Sequence, residues 1–305
     1  MAVHAAPRLL SAPEADQMRL TAARARVLVV GSLNIDLVLR AAAEPLDEGA
    51  VAVESAQTLV GGHAGNCASA LAALGVSVDV AGAVGQDSDG DLLVRDLSDR
   101  GIDVSRVSRH PDLPTGRVVI PVFDDKHYML LARGANEAFG AHELLKALDG
   151  GHDAVMVFDP GLEALQALRR TDALLCWSPG GLYASSRVAE HVVPQADVIF
   201  VNRSEYKDLG VAVPGELVVT LGARGSLVRH RGSELAVPAR RAAVVDPVGA
   251  GDAFAAAYVL ARLAGLTAAA RLAVGNAGGA AAVEGSGART ALATLVELLG
   301  ESATN

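Results

Sequence analysis

Short apolar runs alternating with stretches of helical period leave this chain few folds to choose from. Val27-Leu28-Val29-Val30 carries no polar side chain and ends at Gly31. A strand with one face in water alternates apolar and polar residues, so a run apolar at every position must be covered on both faces. Further short strands are expected at Val155–Phe158, Ala173–Trp177, Asp197–Val201, Leu217–Leu221 and Leu227–Arg229. Helical patterns lie between and after them, at Leu162–Arg170, Tyr183–His191, Asp252–Ala264, Thr267–Val283 and near Leu292–Leu299. Two earlier helical stretches, Ala64–Leu74 and Asp87–Arg100, each stop at a glycine, Gly75 and Gly101. Strands alternating with helices predict an α/β fold, a doubly wound and mostly parallel sheet flanked by helices.

A few segments do not fit that sheet. Val51, Val53 and Leu59, then Val118–Val122 and Tyr128–Leu131, alternate as half-exposed antiparallel strands do, with a hairpin turn near Asp124-Asp125-Lys126. They predict a small β-sheet lid, discontinuous in the chain, from about 37–60 and 112–133. The organisation expected is a single α/β domain over 26–300, preceded by a disordered tail over 1–25, where Arg8, Glu14, Asp16, Arg19 and Arg24 interrupt any apolar stretch. That segment is also a poor signal peptide.

Composition narrows the function classes. Of 305 residues, 51% are hydrophobic and 20% charged, enough apolar material for a packed core. The formal net charge of −9 disfavours nucleic acid and anionic membranes as partners. Cys67 and Cys176 each lie in an apolar run and read as buried thiols, with neither disulfide nor zinc spacing. The least charged stretches fall short of a membrane span. A cytoplasmic globular protein is expected.

The strongest chemical signal is Asp246-Pro247-Val248-Gly249-Ala250-Gly251-Asp252, expected to join a strand at Ala242–Val245 to a helix. Two glycines one residue apart let backbone N–H groups converge on an anion at a helix N-terminus. A carboxylate at Asp252 could take a hydroxyl proton beside them, although a tight turn with Asp252 as N-cap explains the same residues. Asn202 and Glu205 follow a strand and could serve Mg²⁺ and phosphates, or form a capping box. Thr220, Gly222, Arg224 and Gly225 could approach phosphates, or make a plain turn. Asn34 and Asp36, at the end of the first buried strand, and Gly61-Gly62-His63-Ala64-Gly65-Asn66 suit a polyhydroxylated ligand, while His63 by itself reads as a surface residue.

Taken in order, these segments resemble the ribokinase-like (phosphofructokinase B type) carbohydrate kinases over essentially all of 27–299, with the ribokinase branch closest in motif pattern. The Gly61–Asn66 segment, Asn202-x-x-Glu205 and the complete Asp246–Asp252 signature carry the likeness, with Gly134-Ala135-Asn136 beside them. The resemblance implies an ATP-dependent kinase that phosphorylates a hydroxyl, a primary one favoured, of a small sugar such as a pentose. It implies Asp252 as general base and Gly249, Ala250 and Gly251 as the anion hole. Asn34, Asp36, Gly61, Gly62, Asn66 and Asp159 would bind substrate. Asn202, Thr220, Gly222, Arg224, Gly225 and Asn276 would lie along the nucleotide. Glu205 would act on Mg²⁺ through water, while Asp246 and Gly287 would serve a monovalent cation such as K⁺. A homodimer through the lid is implied as well.

The departures fall on the sugar side. His63-Ala64-Gly65 stands where the ribokinase branch has Lys-Gly-Ala, Pro247 stands for Thr, and Asp159 for a longer Glu. A nucleoside kinase of the same family is the main alternative, although Phe123, Tyr128 and Phe139 are the only aromatics near the expected lid. A non-catalytic sugar- or nucleotide-binding sensor is the other. No Gly-x-Gly-x-x-Gly follows the first strand, which argues against a dinucleotide-binding oxidoreductase.

Overall fold

The computed structural model describes residues 9–44, 49–123, 126–184 and 187–300. Its larger sheet has nine strands. From edge to edge these are Ser233–Val237, Ser226–His230, Glu216–Thr220, Val198–Asn202, Leu174–Trp177, Ala154–Val157, Arg26–Val30, Ser77–Gly85 and Asp103–His110. Pairing is parallel from Glu216–Thr220 to Asp103–His110, and the two strands at the opposite edge are antiparallel.

The apolar first strand explains the layering. Val27 and Val29 face one hydrophobic cluster, Leu28 and Val30 the other, and all four are fully buried. The first cluster packs under the helices His63–Ala73, Ala250–Leu263 and Ala268–Ala282, the second under Ala141–Leu148, Leu162–Ala167 and Arg187–Val192. Ser77–Gly85, next to the first strand, is buried over nearly its whole length, yet Asp79, Gly82 and Gly85 mask it as an apolar run.

The smaller sheet holds Ser55–Gly61, Asn34–Ala41, Gly116–Phe123, Lys126–His127 and Leu130–Ala132. Its strands come from two separate stretches, 34–61 and 116–132, and one pairing differs from the antiparallel one expected. Asn34–Ala41 and Gly116–Phe123 pair parallel, because each leaves the large sheet at the same end. Val51 and Val53 are exposed and precede the strand. Of the expected hairpin turn, Asp124 and Asp125 lie outside the described residues.

Two expectations are corrected. The segment read as a disordered tail contains a helix, Ala12–Ala22, started by a Ser11–Glu14 capping box. Ala15, Met18 and Ala22, spaced at three and four residues, bury against the core, and Met18 is fully buried. Residues 1–8 lie outside the described residues. Ala242–Val245 is not a strand; Val244 and Val245 are 68% and 59% exposed, and the Val245 N–H donates to Val283 O at the end of the helix Ala268–Ala282 instead of to a strand. Cys67 and Cys176 are free and buried.

Candidate active site

The carboxyl ends of the parallel strands, the first turns of two helices and the root of the small sheet meet at one point. Gly249 caps the helix Ala250–Leu263 in the left-handed region, with φ 80°. A Cβ there would lie 2.4 Å from that of Ala288, so only glycine turns this tightly against the neighbouring loop. The turn places Asp252 at the third helical position, 6% exposed. The capping residue is Gly249, so the reading of Asp252 as an N-cap is set aside. Its carboxylate turns to side chains instead.

Oδ2 of Asp252 accepts from Asn66 Nδ2 at 3.0 Å, and Oδ1 lies 3.0 Å from His63 Nδ1. The His63 ring stacks on Phe158, with centroids 5.9 Å apart, and its backbone N–H donates to Ser32 Oγ. Burial by itself would lower the His63 pKa, but the carboxylates of Asp252, Asp159 and Glu205 outweigh it and raise the value to about 10. His63 is therefore the cation at the centre of the acidic cluster. The sequence reading took it for a surface residue, and its side chain is 47% exposed, yet the ring also reaches Asp252; the signal for that was its place in the first turn after Gly62, where the related pattern carries lysine.

Asn66 was expected to bind substrate, yet both atoms of its amide are engaged. Its Oδ1 accepts from Arg289 Nε at 3.0 Å. Arg289, 4% exposed, also donates to Gly61 O and to Asp96 Oδ2. Sequence reasoning missed Arg289, whose one signal is a lone charge just after Gly287-Ala288.

Asn34, Asp36 and Asp159 converge on the other side. Asn34 Oδ1 accepts from Asn136 Nδ2, and the same Asn136 amide bridges the backbone of Leu33 through both its N–H and its C=O. Asp159 accepts from Ser32 N–H at 3.1 Å and faces Arg133 at 3.6 Å. Arg133 also ion-pairs with Glu137 and lies over the Tyr183 ring. Asp36 differs from its neighbours: it is 7% exposed and its Oδ1 has no hydrogen-bond partner among the described residues. Burial raises its pKa to about 6, against the pull of Arg289 and His63 and helped by Asp252 and Asp246. A buried carboxylate oxygen without a donor fits a ligand that brings hydroxyl groups. It lies directly over Gly61, where a Cβ would come within 2.1 Å of Oδ2.

On the phosphate side, Asn202 and Glu205 form a full capping box: Asn202 Oδ1 accepts from Ser204 and Glu205 N–H, and Glu205 returns to Asn202 N–H. The capping explanation is thus realised. Burial also raises the Glu205 pKa, opposed by the Asn202 N–H and by His63, whose field reaches it. Thr220 ends its strand, and Gly222–Arg224 is a short 3₁₀ turn closed at Gly225. Asn276, expected along the nucleotide, donates to the carbonyls of Val237 and Pro238, so its amide fastens the loop that follows the edge strand Ser233–Val237. Asp246 accepts from Val248 N–H and Gly287 N–H, one bond per oxygen, and so ties the glycine turn to the loop at 284–291.

A pfkB family carbohydrate kinase model matches residues 24–295. The chain is 31% identical over 280 residues to an ATP-dependent ribose-1-phosphate kinase of Halopiger xanaduensis, covering 87% of this chain and 94% of that protein. Among solved structures, a nucleoside kinase of Methanocaldococcus jannaschii superposes with TM-score 0.78 at 22% identity, covering 90% of this chain and 97% of that one. An Arabidopsis thaliana ribokinase solved with ribose and ATP gives TM-score 0.78 at 22% identity, covering 91% and 99%. The fold is the ribokinase-like fold, a mostly parallel sheet flanked by helices with a smaller sheet as lid. The chain belongs to the pfkB carbohydrate kinase family and is a phosphotransferase with an alcohol group as acceptor. No helix among the described residues is long and apolar enough to cross a membrane.

Proposed function

We propose that this kinase transfers the γ-phosphoryl group of ATP to a hydroxyl, a primary one favoured, of a small neutral sugar of pentose size. The observation that carries the reading is Asp252, held by His63 and Asn66 in the first turn of the helix that Gly249 opens. Asp252 accepts the hydroxyl proton through a lone pair that neither donor uses. The N–H groups of Gly249, Ala250 and Gly251 hold the charge that develops on the moving phosphoryl group. Asp36, whose Oδ1 has no partner among the described residues, accepts from sugar hydroxyls with Asn34, and Asp159 shapes the same wall.

Donor residues fit a Mg²⁺ that is held chiefly by substrate phosphates. Among the described residues no group of three metal-ligating side chains converges, and Glu205 is the carboxylate in the first turn after the strand Val198–Asn202. When bound, Mg²⁺ would neutralise negative charge on the substrate phosphates. Glu205 and Asn202 would orient its water, with Thr220, Gly222, Arg224, Gly225 and Asn276 beside the nucleotide. Asp246 keeps a free lone pair on each oxygen, which with Gly287 suits a monovalent cation such as K⁺. Tyr128, Leu130 and Leu131 on the small sheet are 46%, 59% and 49% exposed and offer an apolar surface for a homodimer through the lid. The chain would act in the cytoplasm, without nucleic-acid partners.

A nucleoside kinase is the second reading, favoured by the kinship of fold with a nucleoside kinase. ADP release is measured with Mg²⁺–ATP across pentoses, hexoses, sugar phosphates and nucleosides, with and without K⁺. Turnover on a free pentose, lost in Asp252→Asn, is the expected result. Turnover on nucleosides alone moves the assignment to the second reading, and ATP binding without turnover on any compound moves it to a sensor.

A further inference from the structure

Arg289 stands outside the motif residues that carry the resemblance, yet its guanidinium reaches the base through a single intermediary. It lies 223 residues from Asn66 in the chain, at 3.0 Å in space. A buried guanidinium is costly unless its donors are met. Here Nε donates to Asn66 Oδ1, Nη1 to Asp96 Oδ2 at 2.7 Å and Nη2 to Gly61 O at 2.6 Å.

An asparagine amide is symmetrical in shape, and rotation by half a turn exchanges its oxygen and nitrogen. Arginine can only donate and an ionised aspartate can only accept. Placed between Arg289 and Asp252, the Asn66 amide has one orientation that satisfies both, with oxygen to Arg289 and nitrogen to Asp252. Arg289 thus holds the oxygen end of the amide whose nitrogen end Asp252 holds, and without it the amide is restrained from one side alone.

Room for this arrangement is made by Gly65. A Cβ there would come within 2.0 Å of Arg289 Nη2 and 2.9 Å of Cζ. The same short segment holds the phosphate side: Gly287 N–H donates to Asp246, and Ala288 packs against Gly249. The residues 287, 288 and 289 thus touch the signature aspartate, the glycine turn and the amide on the base in succession.

We infer that Arg289 is a positioning residue for phosphoryl transfer: it fixes the orientation of the Asn66 amide and, through it, the carboxylate of Asp252, while joining the phosphate-binding turn to the root of the lid at Gly61. This rests on Asp252 being the base.

The test uses the full chain as Arg289→Met, Arg289→Lys and Gly65→Ala, the last displacing the guanidinium without removing it. The side-chain amide of Asn66 is followed by ¹H–¹⁵N NMR in the ligand-free protein, and kcat and KM are measured on the substrate found by the panel. In the unaltered protein one Asn66 amide proton is shifted and protected from exchange. Both Arg289→Met and Gly65→Ala abolish that signature and lower kcat about 10- to 100-fold with the KM for ATP nearly unchanged, and Arg289→Lys recovers part of each. An Asn66 signature unchanged in both Arg289→Met and Gly65→Ala overturns the inference, as does a rise in KM with kcat intact. If no compound is turned over but the signature still depends on Arg289, the positioning stands and the kinase reading fails.

Discussion

His63 Nδ1 stands 3.0 Å from Asp252 Oδ1, across 189 residues of chain. The pair joins the first turn of one helix to the first turn of another, and no local pattern in either segment announces it. Because the folded pKa of His63, about 10, lies above the unfolded 6.5, the pair's contribution is complete below about pH 6.5 and is lost as pH rises through 10. With the ring 47% exposed, solvent screens the pair to less than about 1 kcal/mol. Thermal melts of the wild type and His63→Gln from pH 6 to 10 should converge as pH rises; a gap that widens would contradict the assignment.

Asp36 works in the same sense, in a lower pH window. Its pKa of about 6 exceeds the ordinary 3.8, so between those values the folded state binds the proton more tightly than the unfolded one. Stability conferred by the neutral form is therefore lost as pH climbs through that window. Asp36→Asn should be more stable than the wild type at pH 7.5, by about 1–3 kcal/mol, and nearly equal to it at pH 4. The same variant should bind sugar more weakly. Urea melts at the two pH values decide the first part, and a variant less stable at pH 7.5 would refute it.

Gly249→Ala combines two penalties, a left-handed backbone and a Cβ 2.4 Å from that of Ala288. The turn must open, and its N–H groups lose their aim. We expect kcat to fall about 10²- to 10³-fold, with stability reduced by about 1–2 kcal/mol. Steady-state kinetics with a melt alongside would show it; unchanged kcat would remove this turn from the anion hole.

The N-terminal helix is held by few side chains, and Met18 is the largest of them. Met18→Ala should cost about 2–4 kcal/mol by leaving a cavity, whereas Leu20→Ala, on the face that is 52% exposed at that residue, should cost less than about 0.5 kcal/mol. Equal urea midpoints for the two variants would mean that the helix does not pack as described.

The sequence by itself determined whatever depends on near neighbours. Val27–Val30 had to be covered on both faces, Gly75 and Gly101 had to end their helices, and the Asp246–Asp252 segment had to make a tight turn into a helix. Side-chain chemistry and backbone sterics decide such features within a few residues. Where a partner was needed, local reasoning failed. Val244 and Val245 look like a strand but pair with no strand, the Val245 N–H going to Val283 O instead, and Ala12–Ala22 looks like tail because alanines disclose little about which face is buried. Tertiary structure alone decided that His63 and Asn66 grip Asp252, that Arg289 orients Asn66 from the far end of the chain, and that the Asp36 carboxylate keeps an oxygen free. Those contacts exist because parallel strands deliver their carboxyl ends to one side of a sheet, and chain distance says nothing about which loops will meet there.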